Sequence, residues 1–239
     1  MSGNREQPAC ARVLYKVNAR AIDSEEPGRQ HIGRRMFLGL LGAGAVVGAG
    51  GGKLLGNLGQ FGPLKSFIPQ DGFYFYTVAN GEPAFDGKNW DLRIEGLVEN
   101  PITLKFADLL ALAQSDQVHD YMCVTGWKVP RARWQGPLVS TLIDLAKPQS
   151  SAKAVSFDSA DGIYVDSLTM AEARRPEVML AHRLNGVPLT ADRGAALRLV
   201  VPFMFGYKGT KWVSRIRLTD QQETGYWEQR GYDINAYLK

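Results

Sequence analysis

The hydrophobic pattern of this chain changes character along its length. Residues 1–33 are polar with no apolar period, and an uncharged stretch then runs from Met36 to Gly52. A Gly/Pro/Gln-rich segment, 56–71, separates these from a region of short alternating and helical patterns. Trp90-Asp91-Leu92-Arg93-Ile94-Glu95-Gly96 alternates at period two and predicts a strand. Leu104–Ala113 and Leu138–Ala146 have helical spacing. Ala154–Phe157 and Ile163–Val165 flank Asp161-Gly162, which predicts two strands joined by a turn. Thr169 followed three residues later by Glu172 is a capping-box pattern that opens a short helix. Val178–Leu184 and Val187–Leu189 around Asn185-Gly186 predict a hairpin. Leu197–Val201 and Trp212–Leu218 are the last strands, the second strictly alternating. The elements intermix without a βαβα rhythm, and no G-x-G-x-x-G follows a strand, which argues against a Rossmann nicotinamide site. The pattern predicts an α+β fold with mixed or antiparallel sheets and short helices.

Three segments follow: an N-terminal extension over 1–55, a linker over 56–71 and one domain over 72–239. Arg34-Arg35 ahead of Met36-Phe37-Leu38 resembles a twin-arginine export signal, and the seven glycines of 36–52 suit a weakly hydrophobic signal core. The expectation is an exported, periplasmic or extracytoplasmic protein; the alternative is an uncleaved membrane anchor over 36–52. Residues 1–35 carry seven of the 28 Lys/Arg and four of the 24 Asp/Glu, so the formal charge of +4 shrinks to about +1 for the rest. Nucleic acid, which asks for a basic face on the folded part, is therefore not an expected partner.

Candidate chemistry is sparse. The two cysteines, Cys10 and Cys123, make neither a disulfide framework nor a zinc pattern. Of three histidines, His31 lies in the extension, and His119 and His182 are too few for a His-rich metal centre. His182 falls in a predicted strand and reads as a structural, hydrogen-bonded residue. No G-x-S-x-G elbow is present. A Cys123 nucleophile with His119 as base needs one helical face, which Asp120–Gly126 do not favour. On its own residue type, Cys123 reads as a small core residue.

The surroundings of Cys123 change that. Asp120-Tyr121-Met122-Cys123-Val124-Thr125-Gly126-Trp127-Lys128-Val129 resembles the molybdenum-ligating cysteine segment of the sulfite-oxidase superfamily. The resemblance runs from Phe73 to Tyr232 through Trp134-Gln135-Gly136, Asp161-Gly162-Ile163-Tyr164, Asn185-Gly186-Val187-Pro188-Leu189 and Leu197–Pro202. It continues in Phe205-Gly206-Tyr207-Lys208-Gly209-Thr210-Lys211-Trp212 and Gly225-Tyr226-Trp227-Glu228. Within the superfamily, the chain is most similar to catalytic subunits of periplasmic protein-methionine-sulfoxide reductases and their uncharacterised relatives.

The resemblance implies a sulfite-oxidase-like molybdopterin-binding domain and a mononuclear molybdenum cofactor held by a pyranopterin dithiolene. Cys123 would be the thiolate ligand to the metal, a soft donor suited to it. Tyr74, Phe75, Ser159, Arg198, Gly209, Thr210 and Lys211 match cofactor-binding positions. Arg193 is a further cofactor-binding candidate, able to donate to the cofactor although it stands where the family has Asn or His; Asp71-Gly72 stand where it often has Asn. A solvated strand charge is the alternative for Arg198 and Lys211. The implied reaction is two-electron oxygen-atom transfer, on a sulfoxide-type substrate, small or protein-borne. Electrons would pass to or from a cytochrome b membrane subunit or a c-type cytochrome, since no haem or iron–sulfur motif is present. Lys128, Arg131 and Arg133 follow the cysteine and leave open a sulfite-oxidising alternative; exposed loop charges are their other reading. A cofactor-less secreted domain of the same fold is a further alternative.

Overall fold

The computed structural model describes residues 72–74 and 76–238. The N-terminal extension, the twin-arginine-type segment, the linker 56–71, Asp71 and Phe75 lie outside the described residues.

The period-two segment at 90–96 is strand β1, Asp91–Gly96, and it buries Leu92 and Ile94 completely. The helix expected over 104–113 divides. Ile102–Lys105 form strand β2, antiparallel to β1 with Leu104 opposite Leu92, and helix α1 is only Phe106–Ala111. Cross-strand pairing with β1 outweighs the local helical spacing at 102–105. Residues Val139–Ala146 form α2 as expected, with Val139, Leu142, Ile143 and Ala146 on its buried face.

Two strands were not signalled by apolar alternation. β3, Ser115–Met122, and β4, Lys128–Gly136, form an antiparallel pair. β3 is an edge strand whose alternating positions are mostly polar on both faces, so it carries no hydrophobic stripe. β4 contains Pro130, which is accommodated where the register shifts between His119 and Tyr121. Arg131, inside that bulge, has φ 52°, and its N–H donates to Asp120 Oδ1 at 2.9 Å. Period-two geometry puts Gln117, His119, Tyr121 and the following Cys123 on the less exposed face of this strand.

Strands β5, Ala154–Ser159, and β6, Val165–Thr169, pair around the Asp161-Gly162 turn. Thr169 then opens helix α3, Met170–Ala173, through the capping box: Thr169 Oγ1 accepts from Glu172 N, and Glu172 Oε2 accepts from Thr169 N. The expected hairpin at 178–189 is split between two sheets. β7 is Met179–Ala181, whereas β8, Arg183–Leu184, and β9, Val187–Pro188, make the tight pair around Asn185-Gly186. β10, Arg198–Val200, pairs with β7, and β11 is Val213–Thr219.

The result is a five-stranded sheet ordered β2-β1-β11-β5-β6, a four-stranded sheet β3-β4-β8-β9 and the pair β10-β7. Only β1 and β11 run parallel, so the large sheet is mixed. One apolar core packs that sheet against α2 and includes Leu92, Phe157, Ile216, Leu142 and Leu199. A second lies against the four-stranded sheet around Phe73, Val129, Trp134, Met179 and Val200. β10 contributes Leu199 to the first core and Val200 to the second; Arg198, on the same face as Val200, is buried against Phe73 and Trp134 of the second. No helix among the described residues is long and apolar enough to cross a membrane.

Candidate active site

A cavity of about 320 Å³ opens between the β3–β4 connection, the 191–193 turn, the 206–212 segment and the chain near 74–78. Cys123 lies on its wall. The residue sits in a loop closed by its own backbone: Cys123 N donates to Trp127 O and Gly126 N donates to Cys123 O, both at 3.0 Å. Gly126 takes φ +95°, a conformation that a β-carbon disfavours, and so closes the turn. The Cys123 thiol and the Thr125 hydroxyl are 3.2 Å apart. His119 is not its partner: His119 Nε2 pairs with Gln117 Oε1 at 2.7 Å, and the histidine is absent from this wall. Partial burial holds the His119 pKa below its usual value. The strand geometry of β3 thus removes the premise of a helical Cys–His pair.

Of the residues singled out above, Tyr74, Ser159, Arg193, Arg198, Gly209 and Lys211 share the wall with Cys123. Arg198 is 7% exposed. Its Nη2 donates to Tyr121 Oη at 2.9 Å, and its guanidinium lies 5.1 Å from the Tyr121 ring centroid and 5.8 Å from that of Trp134. The solvated-charge reading of Arg198 is therefore excluded. Arg193 donates to Asp192 Oδ2 at 2.5 Å and to Phe73 O at 3.1 Å, so the departure from Asn or His still puts a donor at this wall. Lys211 Nζ donates to Tyr76 O at 2.6 Å and lies 4.3 Å from the Trp212 ring centroid. Ser159 Oγ accepts from Asp161 N at 3.2 Å at the end of β5. Thr210 is fully buried behind the wall, and its hydroxyl has no hydrogen-bond partner among the described residues. His182 is structural, as expected, with Nε2 3.0 Å from Gln114 Oε1 and its ring edge-on to Phe106.

Glycines shape the floor. A β-carbon on Gly206 would stand 2.1 Å from Tyr121 Oη, and one on Gly209 would stand 2.9 Å from Leu199 O. Their absence of side chains lets the 206–209 turn close against Tyr121 and β10. Trp212 adopts φ 54°, unusual for a bulky residue, while its Nε1 donates to Ala191 O at 2.7 Å.

Sequence reasoning missed most of the aromatic lining: Tyr76, Tyr121, Trp127, Tyr164, Tyr207 and Trp227. They come from five separate segments, and only folding makes them neighbours. Burial raises the Tyr121 and Tyr164 pKa values, and burial with nearby carboxylates pushes Tyr207 up to about 12. These hydroxyls stay protonated at neutral pH and give their protons to backbone carbonyls: Tyr121 to Gly206 O, Tyr164 to Tyr207 O and Tyr207 to Asp233 O.

The charges of the β4 strand point elsewhere. Lys128 pairs with Asp120 at 2.6 Å, Arg133 pairs with Asp116 at 2.7 Å, and neither they nor Arg131 lines the cavity. They are exposed charges, as their other reading has it, but they lie on a strand and not in a loop.

Lys211 is the most perturbed of the wall cations. Burial, and secondarily the repulsion of Arg198, push its pKa down to about 7, against weaker attraction from Glu82 and Asp192. A lysine depressed in the fold contributes stability that is complete above its ordinary pKa of 10.5 and is lost as pH falls through about 7. Cofactor-free protein should therefore gain resistance to urea as pH rises from about 7 to about 10, and Lys211→Met should flatten that slope. Equal slopes in the two proteins would contradict the assignment.

A polar, flat, anionic ligand fits these residues. Arg193, Arg198 and Lys211 offer positive charge, and Gly209 permits close approach of the backbone. Two polar atoms of wall residues, Trp127 Nε1 and Asp161 Oδ2, are buried without a partner among the described residues. One is a donor and the other an acceptor, so a ligand bearing both kinds of group would satisfy them. Among the described residues, no three His, Cys, Asp or Glu side chains converge as a metal cage. A metal here would be held by Cys123 together with a cofactor's own donors.

A mixed-sheet domain with one cysteine facing a cationic, aromatic cavity defines a cofactor-dependent redox protein of the sulfite-oxidase type. The chain belongs to the oxidoreductase molybdopterin-binding domain family, whose model matches residues 79–227. It is 32% identical to the uncharacterised oxidoreductase YuiH of Bacillus subtilis over 63% of this chain and 76% of that one. It is 30% identical to MsrP, the protein-methionine-sulfoxide reductase catalytic subunit, of Campylobacter jejuni, over 84% of this chain and 78% of the relative. Among solved structures, the sulfane dehydrogenase SoxCD of Paracoccus pantotrophus superposes with a TM-score of 0.54 at 25% identity. That match covers 59% of this chain, which spans 41% of the SoxCD chain. The family is that of molybdopterin-binding oxidoreductases, and the chain is an enzyme of this kind.

Proposed function

We propose that this chain is an exported molybdenum enzyme that removes an oxygen atom from a sulfoxide-type substrate. The observation carrying the proposal is the placement of Cys123 on one wall with Arg193, Arg198 and Lys211. Cys123 would hold molybdenum through its thiolate, and the three cations and Gly209 would hold the anionic pterin. When bound, the cofactor supplies two-electron oxygen-atom transfer. The protein's share is binding and orientation. Tyr121 Oη accepts from Arg198, which fixes the ring two residues from Cys123, and its hydroxyl keeps its proton at neutral pH. Tyr74 and Tyr76, half exposed at the cavity and packed on Trp127, present an aromatic rim to an incoming thioether or sulfoxide.

Sulfoxide reduction is favoured by the methionine-sulfoxide reductase subunits of Campylobacter jejuni and Gluconobacter oxydans, each 30% identical to this chain. A membrane cytochrome b subunit is the natural electron donor, in keeping with similarity to a protein named putative methionine-sulfoxide reductase subunit YedZ1 of Azospira oryzae. The pairing of Lys128 and Arg133 outside the cavity weighs against a sulfite-holding role for those residues. A dye-coupled assay on one preparation tests the direction. Methionine sulfoxide should be reduced at least about tenfold faster than sulfite is oxidised, a difference of about 1.4 kcal/mol in barrier. Faster sulfite oxidation would reverse the assignment.

A further inference from the structure

Behind the cavity wall lies an ion cluster that the proposed reaction does not use. Lys208 Nζ donates to Asp166 Oδ1 and, at 2.8 Å, to Glu228 Oε1, and all three side chains are 2% exposed or less. The other carboxyl oxygens, Asp166 Oδ2 and Glu228 Oε2, are buried without a partner among the described residues. Gly225 lets the two carboxyls gather: a β-carbon there would stand 2.5 Å from Glu228 Oε2 and 3.0 Å from Asp166 Cγ. Each member is anchored to the cavity. Asp166 follows wall residue Tyr164 by two positions, Lys208 lies between wall residues Tyr207 and Gly209, and Glu228 follows wall residue Trp227.

Two carboxylates against one ammonium would leave a net negative charge in the interior, which is costly unless neutralised. The surrounding groups do not neutralise it. Tyr164 and Tyr207 hold their protons, and the Ser167 N–H donates to Asp166 Oδ1 at 2.7 Å. Lys208 is the cation acting on Asp166, and Glu228 opposes it. Arg198, in β10, acts on Tyr164, and Asp233 acts on Tyr207.

We infer that Asp166, Lys208 and Glu228 form a positioning triad for the cofactor cradle, completed by one proton on its carboxyls. The inference rests on the cofactor reading above. With the proton in place, the triad is neutral and pins the 206–209 turn to β6 and to the 228–230 turn. Without it, the uncompensated charge loosens that turn beneath the bound ligand. Burial raises the Asp166 pKa to about 7, which puts the loss of the proton within reach of ordinary conditions.

Two readouts on the full chain test this. Infrared difference spectra should show a protonated carboxyl band below neutral pH that fades as pH rises and is missing in Asp166→Asn. In a separate measurement, molybdenum retained after dialysis should fall as pH rises from about 7 to about 9, with dissociation increasing by up to about tenfold per pH unit. Asp166→Asn, which imitates the protonated state, should retain its metal independently of pH over that range. Glu228→Gln, neutral in the same way, is the second variant should the first fold poorly. Absence of the band, or variants that lose metal with the wild-type pH profile, would overturn the triad. A normal band in protein that takes up no molybdenum from a competent host overturns the role through the cofactor reading and not through the proton.

Discussion

Cys123→Ser should lower molybdenum-dependent turnover by more than about 100-fold while leaving the fold intact. Changes to residues that merely support a metal ligand typically cost about 10- to 100-fold, and this substitution alters the ligand itself. Serine keeps the size and the loop, since the Cys123–Trp127 and Gly126–Cys123 backbone hydrogen bonds do not involve the side chain. What changes is the donor atom: the hydroxyl is harder and stays protonated where a thiol ionises. Thermal unfolding of the cofactor-free variant should match that of the cofactor-free wild type, and turnover with reduced dye should be nearly abolished. A variant with full activity would show that the cavity works without a thiolate.

Gly136→Ala has the largest expected effect on stability. Gly136 ends β4, where the chain passes so close to β7 that an added β-carbon would stand 1.9 Å from Leu180 O and 2.8 Å from Leu180 C. Those atoms belong to the backbone, and Leu180 N is itself bonded to Pro137 O at 3.0 Å. The clash cannot be relieved by turning a side chain; β4 must separate from β7. Overpacking in a core costs about 1–3 kcal/mol where side chains can adjust, so about 3 kcal/mol or more is expected here. Against a typical total of about 5–15 kcal/mol, that loss is easily seen in a urea titration. An unchanged midpoint would mean that β4 and β7 are not packed as described.

Much of the scaffold was legible because burial repeats with the period of the element. Leu92 and Ile94 in β1, and Val139, Leu142, Ile143 and Ala146 in α2, are the positions that the apolar pattern marks. The capping box at Thr169 and the turn at Asp161-Gly162 are local signals and appeared where expected. β3 and β4 were not legible because an edge strand of mostly polar residues and a strand broken by Pro130 carry no stripe. The break in the expected 178–189 hairpin, where His182 separates two sheets, depends on pairing with β10 and β4, which lie far away in sequence.

The candidate site divides in the same way. Cys123, Arg198, Gly209 and Lys211 were reached through family resemblance, since a lone cysteine and two basic residues carry no periodic mark. The fold gathers them around one cavity. Most of the aromatic lining, and Lys208 and Glu228, lie in the family-like segments, but their convergence, and the part of Asp166, have no signature in local sequence. Lys208, adjacent to the cofactor-binding candidates Gly209–Lys211, is instead turned away from the cavity and buried against two carboxyls distant in sequence.

The central claim is that Cys123 holds molybdenum in a pterin-bound site, and metal analysis tests it most directly. Protein purified from a host that makes molybdopterin should contain about one molybdenum per chain, with Cys123 protected from alkylation. Protein without molybdenum, whose Cys123 is alkylated stoichiometrically in the folded state, would contradict the account.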